Sequence, residues 1–141
     1  MGADIKLSYD SISEGDEAPV VSHELTRTCL VKYAGASGDF NPMHTDEVSA
    51  QAAGLPSVFG HGMFSMGLLG RALTDWAGAG NLKVYGVRFT RQTWPGETLS
   101  TKIVVTGKEE TGEGKLVAAE IELVNQDGEV KLAGNAKVLA A

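Results

Sequence analysis

Asp39, Asn41 and His44 fall close together in the stretch SGDFNPMHTD, residues 37–46. An aspartate and a histidine at this spacing make a natural general base and acid pair, because burial and mutual charge tune both groups. Asn41 could fix a water or a substrate oxygen without titrating. Pro42 bars a continuous helix from Asp39 to His44 and favours an extended Asn41. The three side chains therefore sit on a stiffened loop that is able to turn them toward one point. The same residue types also build ordinary turns, and Asp39 is a candidate Asx-turn residue. On residue types alone, proton transfer and capping chemistry both stay open.

A second feature is FGHGMFSMG, residues 59–67, which puts Gly60, His61 and Gly62 at the start of an apolar helix. Backbone N–H groups at a helix N-terminus lack intrahelical acceptors and carry partial positive charge. Gly62 has no side chain to block approach, so its amide could meet an oxygen on which negative charge develops. It could equally serve only to permit a tight entry turn. His61 reads either as a hydrogen-bonded capping histidine or as a ligand contact. No ligand spacing among His44, Asp46 and His61 matches a known metal cage, so no metal is expected.

These residues need elements to hold them. Thr26 is a plausible N-cap for a helix containing Leu30, Tyr33 and Ala34, which Gly35 and Gly38 break. Thr45 is a second N-cap candidate, with Asp46 and Glu47 suiting the positive end of a helix that Gly54 and Pro56 terminate. From Gly60 to Leu73 only His61, Ser65 and Arg71 are polar, the pattern of a helix buried on most sides. Glycines 62, 67 and 70 cost that helix about 1 kcal/mol each against alanine, which predicts close approach of backbone or ligand. Ahead of these elements, residues 1–16 read as an edge segment ending in a turn at Gly15–Asp16, and 18–25 as a short strand. Beyond residue 80 the period changes to two: Tyr85, Val87, Phe89; then Leu99, Thr101, Ile103, Val105; then Val117, Ala119, Ile121, Leu123; then Val130, Leu132, Ala136, Val138. Pro95-Gly96, Gly112-Glu113-Gly114 and Asp127-Gly128 separate the runs. Four strands with short connections predict an antiparallel meander wrapped around the helix, an α+β fold.

The 141 residues predict a single domain, 1–141, of ordinary globular composition: 43% hydrophobic and 21% charged. The formal charge of -6 gives no nucleic-acid footprint. No apolar run is long enough to span a bilayer, and MGADIKLSYD has no secretory apolar region, so the expected location is cytoplasmic. Cys29 is the single cysteine, which excludes an internal disulfide and a cysteine metal cage.

YAGASGDFNPMHTD, residues 33–46, resembles the signature of MaoC-like (R)-specific enoyl-thioester hydratases. GHGMFSMG and VRFTRQTWPGETL (residues 87–99) are similar to that family's central helix and following strands, and SISEGDEAP to its N-terminal segment. The resemblance implies a hot-dog fold, an antiparallel β-sheet wrapped around one long central α-helix. It implies catalytic roles for Asp39 and His44, a supporting amide at Asn41 and an oxyanion amide at Gly62. His61, Met63, Phe64 and Gly70 are the implied substrate contacts, with Gly70 standing where some relatives carry a serine, which should alter pocket depth or polarity. Arg88, with Arg71 and Arg91, is a candidate for the phosphates of CoA or of a carrier-protein arm. The implied substrate is an acyl-CoA or acyl carrier protein thioester, with no metal or redox cofactor. The implied assembly is a homodimer or a heterodimer with a related hot-dog subunit. Two rivals stay open: a hot-dog acyl-CoA thioesterase, and a non-catalytic acyl-thioester-binding partner subunit.

Overall fold

The computed structural model describes residues 4–141. Its elements in order are β1 (Ser22–Glu24), α1 (Arg27–Ser37), a 3-10 turn (Pro42–His44), α2 (Glu47–Ala52), α3 (Gly62–Ala77), β2 (Leu82–Phe89), β3 (Thr98–Thr111), β4 (Gly114–Val124) and β5 (Val130–Ala140). The five strands form one antiparallel sheet in the order β1-β3-β4-β5-β2.

The period-two runs put their apolar members inward. Leu99, Ile103, Ile121, Leu123, Leu132 and Ala136 are buried against Leu69, Ala72 and Leu73 of α3. Leu69 and Leu73 are fully buried, worth about 1.5–3 kcal/mol each relative to exposure. This is the hot-dog arrangement: a curved sheet closed over one helix. The outward stripe of α3 is Met63, Gly67, Arg71 and Asp75, all exposed. Arg71 and Asp75 pair across one turn at 3.5 Å, so the helix is less completely covered within the chain than its composition predicts.

The meander holds only for β3, β4 and β5. β2 does not pair with β3; it crosses to the far edge and pairs with β5, Tyr85 opposite Ala136. Two features explain the correction. β1 already occupies the free edge of β3, Ser22 opposite Ser100, and the connection from β2 to β3 is long enough to cross the end of the sheet. The β2–β5 contact also needs Gly134, because a Cβ there would lie 1.9 Å from the Gly86 carbonyl oxygen.

Helix ends follow the expected chemistry with one change. Thr26 caps α1 by accepting from the Cys29 amide. Gly35 lies within α1 and not at its end; Gly38, with φ 77°, supplies the left-handed C-cap. The second cap is Asp46 and not Thr45: its carboxylate accepts from the amides of Val48 and Ser49, while Thr45 closes the preceding 3-10 turn. A carboxylate at this position also gains from the helix dipole, and the two amide bonds with the Ser49 hydroxyl hold its pKa below the ordinary carboxylate value. Before β1, residues 4–21 form no strand; they touch β3 through one antiparallel bridge, Glu17 opposite Val104, closed by bonds such as that from the Ala18 amide to the Ile103 carbonyl at 3.0 Å. Residues 1–3 of the expected edge segment lie outside the described residues.

Candidate active site

The site is assembled where the loop after α1 meets the segment entering α3. Asn41 is extended, as Pro42 requires, with φ -55° and ψ 122°. Pro42 then opens the 3-10 turn that carries His44. Asp39 does form an Asx turn, its Oδ1 accepting from the Asn41 amide at 3.2 Å. That turn leaves Oδ2 free, and Oδ2 lies 3.9 Å from His44 Nε2. The Asx turn expected of Asp39 is therefore present on Oδ1, and Oδ2 is the oxygen that faces His44.

His44 is 8% exposed, and its Nδ1 lies 2.7 Å from the Phe59 carbonyl oxygen. A carbonyl only accepts, so Nδ1 carries the proton, and Nε2 in the neutral ring presents a lone pair toward Asp39. The Phe59 amide donates back to the Met43 carbonyl at 3.2 Å. Two segments distant in sequence are therefore tied at the His44 imidazole.

His61 stands beneath the pair. It is 1% exposed, its Nε2 donates to the Asp39 carbonyl at 3.2 Å, and its ring stacks on that of His44 at 3.9 Å between centroids. Tyr33 meets it edge-on at 4.8 Å. Burial pushes the His61 pKa below the ordinary imidazole value; the Asp39 carbonyl partly opposes this and the nearby His44 adds to it. His61 makes no side-chain cap bond to α3, so it is a support for Asp39 and His44 in place of the expected cap.

Gly62 follows directly as the first residue of α3, and its amide has no acceptor among the described residues. A cavity of about 320 Å³ opens beside it, bounded by Phe59, Gly60, Ser65, Phe89 and Leu132 among others. A Cβ on Gly62 would lie 3.0 Å from the Phe89 ring, and one on Gly70 3.2 Å from Tyr85. Aromatic side chains, and not the backbone or ligand that was expected, thus make the close approach at 62 and 70, while Gly67 has nothing within 4 Å. The Tyr85 hydroxyl donates to the Met66 carbonyl at 2.5 Å, which pins its ring over Gly70.

The remaining candidates are distributed unevenly. Asn41 is exposed, and its side-chain oxygen is engaged by the Met43 amide at 3.1 Å. Met63 is 58% exposed. Phe64 is half-buried, packing on Tyr33 and on His23. Arg88 lies in a groove with Glu120, Glu122, Gly86 and Asn135, away from the cavity at Gly62. Arg91 does line that cavity and pairs with Glu129 at 2.9 Å. Among the described residues, Asp39, His44 and His61 form a group whose metal-capable donor atoms lie within 4.8 Å of one another; Asp46 is occupied as a helix cap. Sequence reasoning did not reach Phe59 and Tyr33. Phe59 acts through its carbonyl, which no residue type reveals.

Residues 14–126 match the family described as the MaoC like domain. The chain belongs to this family. One relative of this MaoC-like chain is the 3-hydroxyacyl-thioester dehydratase Y of Mycobacterium tuberculosis, 45% identical over 71 residues, covering 48% of this chain and 24% of the relative. The chain spans less than a third of the length of the curated relatives it matches. Among solved structures, the R-hydratase PhaJ1 of Pseudomonas aeruginosa superposes with a TM-score of 0.84 at 25% identity, over 99% of this chain and 88% of that one. A chain of the ChsH1-ChsH2 complex from Mycobacterium tuberculosis gives a TM-score of 0.79 at 25% identity, over 92% and 98%. Among the described residues, no helix of this MaoC-like chain is long and apolar enough to cross a membrane.

Proposed function

We propose that this chain catalyses the reversible hydration of trans-2-enoyl thioesters to (3R)-3-hydroxyacyl thioesters. The observation that carries the reading is the facing pair Asp39 Oδ2 and His44 Nε2 at 3.9 Å, supported by His61, which contacts both residues and directly precedes Gly62. Support for the substrate class comes from the dehydratase and hydratase relatives.

In this mechanism a water is held between Oδ2 and Nε2 and attacks C3. Both dyad atoms begin as acceptors, because the imidazole proton is committed to the Phe59 carbonyl. The proton that reaches C2 is therefore the one the water gives up, passed through the dyad. Atoms balance: hydroxyl to C3, proton to C2. Negative charge develops on the thioester oxygen, and the Gly62 N–H stabilises it, a donor worth about 3 kcal/mol in related acyl chemistry. Dehydration is the same path reversed. The thioester itself acidifies C2, so the path uses no metal or redox cofactor.

The chain acts with a second hot-dog subunit, a copy of itself or a related chain. Exposed apolar side chains near the site support pairing: Phe40 is 68% exposed and Phe89 53%, large values for side chains of that size on a lone surface. The neighbouring ChsH1-ChsH2 structure is itself a complex. The single free cysteine, Cys29, suits a reducing cytosol.

A hydration assay across enoyl-CoA chain lengths, with chiral analysis of the product, tests the reading. Formation of the 3R alcohol is expected. Thiol release from saturated acyl-CoA would instead establish the thioesterase, and binding without turnover the silent partner subunit.

A further inference from the structure

Lys131 is a cation with 1% exposure that plays no part in the chemistry above. A buried ammonium persists only when paired and hydrogen-bonded, and this one is both. It donates to the Gln92 carbonyl at 2.9 Å and to Glu129 Oε1 at 2.8 Å, and it forms an ion pair with Glu97 Oε2 at 2.9 Å. Glu97 in turn accepts the Trp94 amide at 2.6 Å and the Asn125 side-chain amide at 2.7 Å. Gln92 and Trp94 are thus held on either side of Thr93.

Thr93 is the contact that carries this order into the site. Its carbonyl accepts the Gly60 amide at 2.8 Å. Its hydroxyl would lie 2.1 Å from a Cβ on Gly60, so loop and segment meet with no slack. Gly60 is flanked by Phe59, whose carbonyl fixes the His44 tautomer, and by His61, which holds the Asp39 carbonyl. Gly62 follows one residue later. A purely stabilising role would not need an ammonium here, since apolar replacement of a buried ion pair is commonly neutral or stabilising.

We propose that Lys131 is a positioning residue: by clamping the loop around Thr93 it fixes residues 59–62, and with them the orientation of His44 and of the Gly62 amide. The inference rests on the hydratase reading for its kinetic consequence, though not for its structural one.

The test compares the full chain with Lys131→Met and with the double variant Lys131→Met, Glu97→Gln. The second change removes the carboxylate charge that the first leaves unpaired and keeps an acceptor for Trp94, at the loss of the bond from the Asn125 amide. Thermal unfolding, kcat and KM on crotonyl-CoA, and the His44 imidazole N–H resonance, assigned with His44→Ala, are measured for each. The double variant is expected to unfold at a higher temperature than Lys131→Met while kcat stays low by roughly 10²-fold, the scale of a small misplacement of catalytic groups. KM is expected to change far less, and the His44 resonance to shift or broaden. Recovery of both stability and kcat in the double variant would overturn the proposal, as would an unchanged His44 resonance. Failure of both variants to fold would also overturn it, because Lys131 would then be a folding residue first. A wild-type chain without hydratase activity defeats the functional reading alone and leaves the resonance arm to decide this one.

Discussion

The role assigned to the Gly62 amide can be isolated by Gly62→Pro read against Gly62→Ala. Proline at the first position of a helix removes an N–H that has no intrahelical partner and fits the helical φ. The residue before a proline must be extended, and His61 already is, with φ -59° and ψ 132°. Both variants add a Cβ that meets Phe89 Cε1 at 3.0 Å. Phe89 is 53% exposed, so its ring is free to swing outward and the overpacking cost falls at the low end, about 1 kcal/mol. The gain from replacing glycine in a helix is of similar size, so both variants should unfold close to wild type. Alanine keeps the amide; proline deletes it. Loss of one such donor should lower kcat by about 10²–10³, or 2.7–4 kcal/mol. The assay is loss of the conjugated enoyl absorbance of crotonyl-CoA beside thermal unfolding. A proline variant turning over within about threefold of the alanine variant, a difference below 1 kcal/mol, would refute the oxyanion role.

Other outcomes are expected from the same geometry. Asp39→Asn and His44→Ala should each lower turnover by roughly 10²–10⁴. Asp39→Asn should unfold as wild type, since the side chain is half exposed and asparagine still accepts the Asn41 amide; a near-wild-type rate in either variant would remove that residue from the mechanism. Leu69→Ala should cost about 2–5 kcal/mol by urea unfolding, because Leu69 is fully buried between α3 and the sheet; a cost under 1 kcal/mol would mean that the core collapses around it. His61 has a pKa below its ordinary 6.5 through burial, so the unfolded chain binds the proton first as pH falls. Stability should be full above that value, fall as pH drops below it, and level off beneath the folded-state pKa. His61→Gln, which keeps a donor for the Asp39 carbonyl, should flatten that profile on the acid side of pH 6.5; unchanged slopes would show that another group is responsible.

The parts of the molecule governed by local chemistry were legible in the sequence. Alternation along β3, β4 and β5, the apolar run of α3 and the cap at Thr26 all follow from short-range spacing. Strand order was not legible, because β2 reaches β5 through a backbone contact at Gly86 and Gly134 that periodicity does not encode. Thr45 was the expected cap with Asp46 in the first turn, but the Pro42 turn uses Thr45 to close itself and Asp46 becomes the cap. At the site, Asp39 and His44 stood out by residue type, and the structure brings them together. The partners that orient them are carbonyls of Phe59 and of Asp39 itself, and main-chain oxygens look alike in every sequence. Lys131 was equally hidden, since on a strand pattern it reads as one more solvated charge.

The tie between Met43–His44 and Phe59 closes a covalent excursion at its neck. α2 and residues 53–57 leave and return through that neck; Ala50 anchors the excursion in the core and Leu55 packs against it, which leaves only the turn between them outside. Lengthening a loop whose ends are already joined adds only about 0.6 kcal/mol per doubling. Residues 53–54, both exposed, are therefore where this chain can accept grafted sequence, acquiring new surface chemistry while the imidazole below keeps its aim.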